Sequence, residues 1–351
     1  MRMSGKKRTG INKHAHFAPR ASVKVDGTPK LCYIDGYVYE GEGGDAMLIC
    51  DTHADTLFKR VTDRNAPCDI TKETLKRGGV SLQVLALYVG GSPILDDIRA
   101  LFARMERENE RLHEEGWEQV FDPRDAAEGK QRYMLSVEGC DLLEGQMELL
   151  TRWRGMGVRM AALTWNYPNC VATPASADAV TGLTSFGKEA VREMKRLGIA
   201  PDVSHLNERG FYDLLETGVT PLASHSCCRA LCGHPRNLTD DQLRALFDAG
   251  GYVGVNFYPR FLRETGGAER ADVCRHLMHM LEMGGEGKIG FGSDFDGIEC
   301  KPAGLTDPRD LGALMDDLLT FGLPEETVRG IAGENLLRYY DRLDPLTAEK
   351  G

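Results

Sequence analysis

The chain has 351 residues, 42% of them apolar, and a formal net charge of −10. One large domain of that length can bury its own core, and the acidic balance argues against nucleic acid, whose phosphates call for a basic surface. No run of eighteen apolar residues occurs, which excludes a transmembrane helix on length.

The first stretch, Met1 to Arg8, is basic but lacks the apolar segment of a secretory signal. His14 and His16 lie in a polar tail with no apolar strand around them and read as incidental. Leu31-Cys32-Tyr33-Ile34 and Tyr37-Val38-Tyr39 then flank Asp35-Gly36, a two-residue hairpin signal. Gly41, Gly43, Gly44 and Asp45 read as a linker, so residues 1–46 are predicted to be a tail and a small β-hairpin extension.

From Met47 onward short apolar runs recur: 47–50, 80–89, 133–137, 158–163, 199–203, 219–223, 252–257 and 288–292. Between them lie amphipathic stretches such as 94–111, 186–197, 240–249 and 271–283, with apolar residues at three- and four-residue steps. Eight strands alternating with helices predict a parallel sheet, and a right-handed crossover repeated eight times closes into a (β/α)8 TIM barrel, an α/β fold. The barrel is expected over 47–342, with 343–351 as a C-terminal tail. Nothing at the C-terminus, Thr347 to Gly351, supports a lipid anchor. The ten cysteines then read as free thiols in a reducing compartment, and the expected location is cytoplasmic with no membrane partner.

Side chains at the C-terminal strand ends of such a barrel converge on one mouth. His53 and Asp55, Glu138, His205, His225 and Asp294 all fall at those ends. In His53-x-Asp55 the period of two would point both side chains to one face, where imidazole and carboxylate can share a metal ion. His205 and His225 stand in near-identical settings, Val-Ser-His and Ala-Ser-His, after successive strands. Glu138, between these groups, has two oxygens and could bridge two ions roughly 3.5–4 Å apart. A lone Ser-His at a strand end is ordinarily a half-buried histidine; the joint pattern is what points to metal. Cys227-Cys228 with Cys232 lacks the spacing of a tetrahedral site and reads as a loop beside the mouth.

These segments resemble the membrane dipeptidase (renal dipeptidase) family of zinc-dependent dipeptidases, among the amidohydrolase-like barrels. The matching stretches are Asp51-Thr52-His53-Ala54-Asp55-Thr56-Leu57, Val137-Glu138-Gly139, Gly157-Val158-Arg159 to Leu163-Thr164, Asp202-Val203-Ser204-His205, Ala223-Ser224-His225-Ser226, His234-Pro235-Arg236-Asn237-Leu238, Gly254-Val255-Asn256-Phe257-Tyr258 and Gly292-Ser293-Asp294-Phe295-Asp296-Gly297. The resemblance implies two zinc ions per chain: His53 and Asp55 on the first, His205 and His225 on the second, Glu138 bridging. It implies that Asp294 moves protons at a metal-activated water and that Arg236 grips the substrate's C-terminal carboxylate. Asp296 is the weaker acid candidate, and Tyr258 joins the substrate-binding candidates.

One departure matters. Where well-known members have a histidine after Leu-Thr on the fourth strand, this chain has Trp165 and then Asn166. Either could donate to a developing oxyanion, though neither carries a proton charge as imidazole does. Cys140 and Met160 also depart from the usual residues and read as packing variation. The implied substrates are small dipeptides, L,L and also those with a D-residue at the C-terminal position. A metal-dependent deacylase or lactonase, and an impaired metal-binding scaffold, are the alternatives. The resemblance leaves a homodimer open.

Overall fold

The predicted apolar runs are strands, and they close on themselves. The computed structural model describes residues 33–34, 37–38, 47–90 and 94–343. Its barrel strands are β1 Ile49–Asp51, β2 Val80–Tyr88, β3 Arg132–Glu138, β4 Val158–Ala162, β5 Ala200–Asp202, β6 Leu222–Ala223, β7 Tyr252–Val255 and β8 Ile289–Phe291. Each pairs in parallel with the next, and Phe291 of β8 pairs with Asp51 of β1, which closes the ring. Glu118–Gln119, too short and polar to be foreseen, adds a two-residue strand beside the start of β3.

All nine residues of β2 are buried, as a parallel strand covered on both faces requires. Alternation then sorts the residues. Leu82 and Val84 of β2, Met134, Met160, Ala200, Leu222 and Tyr252 cluster with Leu336, Tyr339 and Tyr340 of the last helix, Asn335–Leu343. Their odd-numbered neighbours, such as Leu85, Leu135, Ala161, Val253 and Ile289, pack in the larger core that includes the surrounding helices. The last helix thus joins the lower barrel interior; Tyr340 Oη donates to Arg159 O at 3.0 Å and Tyr339 Oη to Thr220 O at 3.2 Å. With the same parity, nearer the C-terminal ends, come Ser136, Glu138, Asp202, Ser224, Asn256 and Asp294, and the interior turns polar. Gly254 lies where β1, β6 and β7 crowd: a Cβ there would sit 2.3 Å from Ser224 O and 2.4 Å from Thr52 Oγ1.

The amphipathic stretches are helices within a few residues of their predicted bounds: Leu95–Glu114, Ser185–Leu197, Asp240–Asp248 and Arg270–Glu282. Thr184 and Thr239 cap two of them by accepting from backbone N–H groups three residues on. Among the described residues no helix is long and apolar enough to cross a membrane.

Contacts divide the chain into two units, Met1–Asp45 and Ala46–Gly351. In the first, Tyr33–Ile34 pairs antiparallel with Tyr37–Val38, as the hairpin signal predicts. Asp35-Gly36, His14, His16, the glycine-rich linker and residues 344–351 lie outside the described residues.

Candidate metal centre

The strand-end residues do converge, though not all for the predicted reason. β1 stops at Asp51, so His53 and Asp55 lie beyond it and strand alternation does not govern them. The chain is held there by a bridge between Ala54 and Phe295, and Asp55 occupies the N-cap position of the helix Thr56–Thr62. Glu138 is the last residue of β3. His205, three residues past β5, and Asp294, three past β8, have left-handed backbones with φ 69° and 65°. A non-glycine residue in that region costs on the order of 1–3 kcal/mol, and such strain gathers at functional sites.

The donor atoms gather around His53 and Glu138, each within 4 Å of one of the two. His53 Nε2 lies 3.6 Å from Glu138 Oε2, 3.7 Å from Asp294 Oδ1 and 3.8 Å from Asp55 Oδ2. On the other side Glu138 Oε1 is 2.9 Å from His205 Nε2 and 3.5 Å from His225 Nε2, and those two nitrogens are 3.1 Å apart. The two oxygens of Glu138 therefore face two different groups. His53, Glu138 and His225 form one set of three donors within 4.8 Å of each other; His53, Asp55 and Asp294 form another. His53 Nε2, Asp55 Oδ1 and Glu138 Oε2 are buried with no hydrogen-bond partner. A buried polar atom left without one costs about 1–3 kcal/mol, so three orphaned donors on residues gathered at one point fit a cation-binding set.

Electrostatics agree. Burial, with Asp55 adding repulsion, pushes the Glu138 carboxyl well above its usual range. Burial also lifts Asp294 to about 6, against the pull of His53. For His53, burial works against the charged ring, but Glu138, Asp55 and Asp294 outweigh it and hold it up at about 10. His205 and His225 are driven well below the ordinary value, by burial first. Their neutral rings are the form that ligates a metal.

A cavity of 340 Å³ opens over these groups, lined also by Phe58, Tyr88, Trp165, Asn166, Arg236, Tyr258 and Phe261. Arg236 is 9% exposed and lies 5.5 Å above the Phe261 ring; no carboxylate pairs with its guanidinium among the described residues. It is thus a buried lining cation with no counter-ion among the described residues. Trp165 meets Tyr88 edge-on at 5.1 Å and forms a wall. Asn166 turns its Oδ1 to His205 Nδ1, 3.1 Å away, while its side chain lines the same cavity. Tyr258 Oη donates to Glu299 at the rim. Asp296 accepts from Thr56 Oγ1, Lys59 Nζ and Asp69 N, which makes it a loop tie. Cys227 and Cys228 are buried free thiols that donate to Asn256 O and His276 O.

Several neighbours stand inside the matching stretches without having been singled out. Asn256 Nδ2 donates to Asp294 Oδ2 at 2.9 Å and so aims the other oxygen at His53. Asp51 and Asp202 sit close to the candidate ligands in sequence and bind Ser293 and Ser224, just past the adjoining strands. Inward parity with Glu138 would have found Tyr88, Asp202 and Asn256.

Residues 45–349 match the membrane dipeptidase family, peptidase family M19. An uncharacterized dipeptidase of Schizosaccharomyces pombe is 36% identical over 227 residues, 62% of this chain but 54% of its own length, so the chain spans about half of that relative. An uncharacterized Klebsiella pneumoniae protein from the pqqA 5′ region is 36% identical over 213 residues, 58% of this chain and 78% of its own. Among solved structures, a Rhodobacter sphaeroides metallo peptidase liganded with a phosphinate mimic of the dipeptide L-Ala-D-Ala superposes with a TM-score of 0.77 at 25% identity, over 85% of this chain and 100% of its own. A closed parallel barrel with buried imidazoles and carboxylates at its mouth, matched by one family over residues 45–349, leaves one assignment: the chain belongs to the membrane dipeptidase family of metallopeptidases.

Proposed function

We propose that this protein is a binuclear zinc-dependent dipeptidase acting on dipeptides with a free C-terminal carboxylate, L,D as well as L,L. The observation that carries this is the convergence of buried donor atoms, three without partners, beside the unpaired Arg236. His53 and Asp55 would hold one ion, His205 and His225 the other, with one oxygen of Glu138 toward each. Bound zinc would bring the pKa of a water molecule from about 15.7 toward 7 and polarise the scissile carbonyl.

The chain's own residues supply the rest. Arg236 presents a planar fork that takes a carboxylate in bidentate fashion. Asp294, whose Oδ2 is held by Asn256, would take the proton from water and return it to the leaving amine. The cavity lies at the small end of ligand sites, roughly 300–1,000 Å³, which suits a substrate two residues long. Acceptance of a D-residue is supported by the dipeptide mimic in the Rhodobacter sphaeroides structure.

The test is hydrolysis of L,L- and L,D-dipeptides by the purified chain, with zinc quantified on the same sample, a chelated control, and parallel N-acyl amides and lactones lacking a carboxylate. Turnover that needs about two zinc ions per chain and a free carboxylate is expected. Zinc without turnover would sink the peptidase reading; turnover of the carboxylate-free compounds alone would move it to a deacylase.

A further inference from the structure

The chain itself decides which ring nitrogen of His225 carries the proton. Asp202, the last residue of β5, is 3% exposed. Its Oδ1 accepts from the backbone N–H groups of Ser204 and Ser224, both at 2.9 Å, and its Oδ2 lies 2.5 Å from Ser224 Oγ. Ser224 Oγ is in turn 2.7 Å from His225 Nδ1. An ionised carboxylate only accepts, and a hydroxyl has one proton, which must therefore go to Asp202. The hydroxyl oxygen then meets Nδ1 as an acceptor, so Nδ1 bears the ring proton. That leaves the lone pair on Nε2, the atom facing Glu138 and His205.

The same clasp is built a second time without an imidazole at its end. Asp51 Oδ1 accepts from Ser293 N at 2.8 Å, and its Oδ2 takes Ser293 Oγ at 2.5 Å and Gln83 Nε2 at 3.1 Å. Among the described residues Ser293 Oγ otherwise meets only His53 O, at 3.4 Å, and Phe295 N–H, at 3.2 Å. Both clasps tie neighbouring strands together; only the one from Asp202 reaches a ring nitrogen.

We propose that Asp202, acting through Ser224, is a positioning residue that fixes His225 as the Nδ1–H tautomer and so presents Nε2 as a metal ligand. The ligand half rests on the zinc-centre reading above; the tautomer half does not.

The experiment uses the full chain labelled with ¹⁵N-histidine, read by long-range ¹H–¹⁵N correlation before and after zinc loading, with His225 assigned by its loss in His225→Asn. Wild type should show Nδ1–H at His225 even when metal-free. Asp202→Asn keeps an oxygen for both backbone N–H groups but places an NH₂ against Ser224 Oγ. The hydroxyl proton then turns to Nδ1, and His225 should switch to Nε2–H. Its zinc affinity should fall about 10–100-fold, the usual loss when a partner behind a metal-ligating histidine is removed. Asp51→Asn, the matched clasp, should leave the His225 tautomer as it was. Ser224→Ala guards against a misfolded Asp202→Asn: it should abolish the tautomer preference and weaken zinc binding. An unchanged Nδ1–H signal in Ser224→Ala and in a folded Asp202→Asn overturns the proposal, as does Nε2–H in the metal-free wild type. A wild type that takes up no zinc overturns the zinc centre and the ligand half together, while the tautomer spectra still judge the rest.

Discussion

Gly297→Ala should separate the metal centre from the fold that carries it. A Cβ at this position would lie 2.2 Å from Asp55 Oδ2 and 2.6 Å from Asp294 Oδ1. The Asp55 oxygen must move from 2.2 to at least 3.4 Å for ordinary contact, a retreat of about 1.2 Å. Both obstructed atoms are side-chain tips, so rotation relieves the clash at little cost to folding. A metal ligand, however, tolerates only about 0.2 Å, and roughly 1 Å of misplacement in a site costs on the order of 10²-fold. Gly297 is not among the residues with a left-handed backbone. Alanine is therefore accepted there and stabilises by about 0.4–1 kcal/mol through the unfolded chain. The two effects have opposite signs. Competition against a chromophoric chelator should show zinc bound about 10²-fold more weakly, with dipeptide turnover at limiting zinc falling in step. The unfolding midpoint of the chelated variant should hold or rise. Wild-type zinc affinity and turnover would refute the placement of Asp55 and Asp294 at the ion.

Arg236→Ala should raise KM for dipeptides by roughly 10–100-fold and leave kcat within a few-fold, because a charge-assisted hydrogen bond contributes about 1.5–3 kcal/mol in ground and transition state alike. Unchanged dipeptide kinetics would rule out the carboxylate grip. Trp165→His should lower kcat/KM, since it removes the wall that Trp165 builds against Tyr88; a rise in kcat would instead show that the cleft lacks a polarising group. His276 gives a pH dependence away from the metal: burial holds its imidazole down at about 4 against an ordinary 6.5. Its Nδ1 accepts from Cys228 N and its Nε2 donates to Leu262 O, an arrangement only the neutral ring can make. The unfolded chain therefore takes the proton first. Stability is whole above about pH 6.5 and drains toward pH 4 at up to about 1.4 kcal/mol per unit. Urea midpoints across that range should fall less steeply in His276→Gln, and identical slopes would refute the assignment.

The barrel was legible because parallel strands buried on both faces read as unbroken apolar runs, and the helices between them keep a 3.6-residue period. The candidate ligands were legible because each stands at the end of such a run or just past it. Their exact delivery was not. Alternation predicts His53 and Asp55 on one strand face, yet the strand ends at Asp51 and the bridge from Ala54 to Phe295 takes over. Nothing in the letters His205 and Asp294 announces a left-handed backbone, since neither is glycine. The second contact of Asn166, its oxygen on His205 Nδ1, could not be read from the letters, since the two residues are 39 positions apart. Asp51 and Asp202 stand inside conspicuous motifs, but only the closed ring shows which serine each one holds. Local rules fail here where function is placed, as they do when a site is carried at the expense of local preference.

That expense can be measured. Asp55, Glu138 and Asp294 crowd around one imidazole in a buried site, and burial with Asp55 pushes Glu138 well above its usual range. A charge cluster kept for stability alone would be a poor choice, because apolar groups of similar size commonly do as well or better. Only protons or a cation relieve it. If a cation is what the cluster is for, Glu138→Gln must act with opposite signs in two states of the same protein. In the chelated chain it removes a repelling charge, and Tm should rise. In the zinc-loaded chain it removes the group proposed to stand between two ions. Ligand stabilisation amounts to about 4 kcal/mol at a thousand times Kd and shrinks as Kd weakens, so Tm at fixed zinc should fall below wild type, and zinc content should fall below two per chain. Paired thermal scans with and without chelator read both signs on one sample. A variant more stable than wild type in both states, or less stable in both, would mean that Glu138 is structural and that the convergence of carboxylates has another cause.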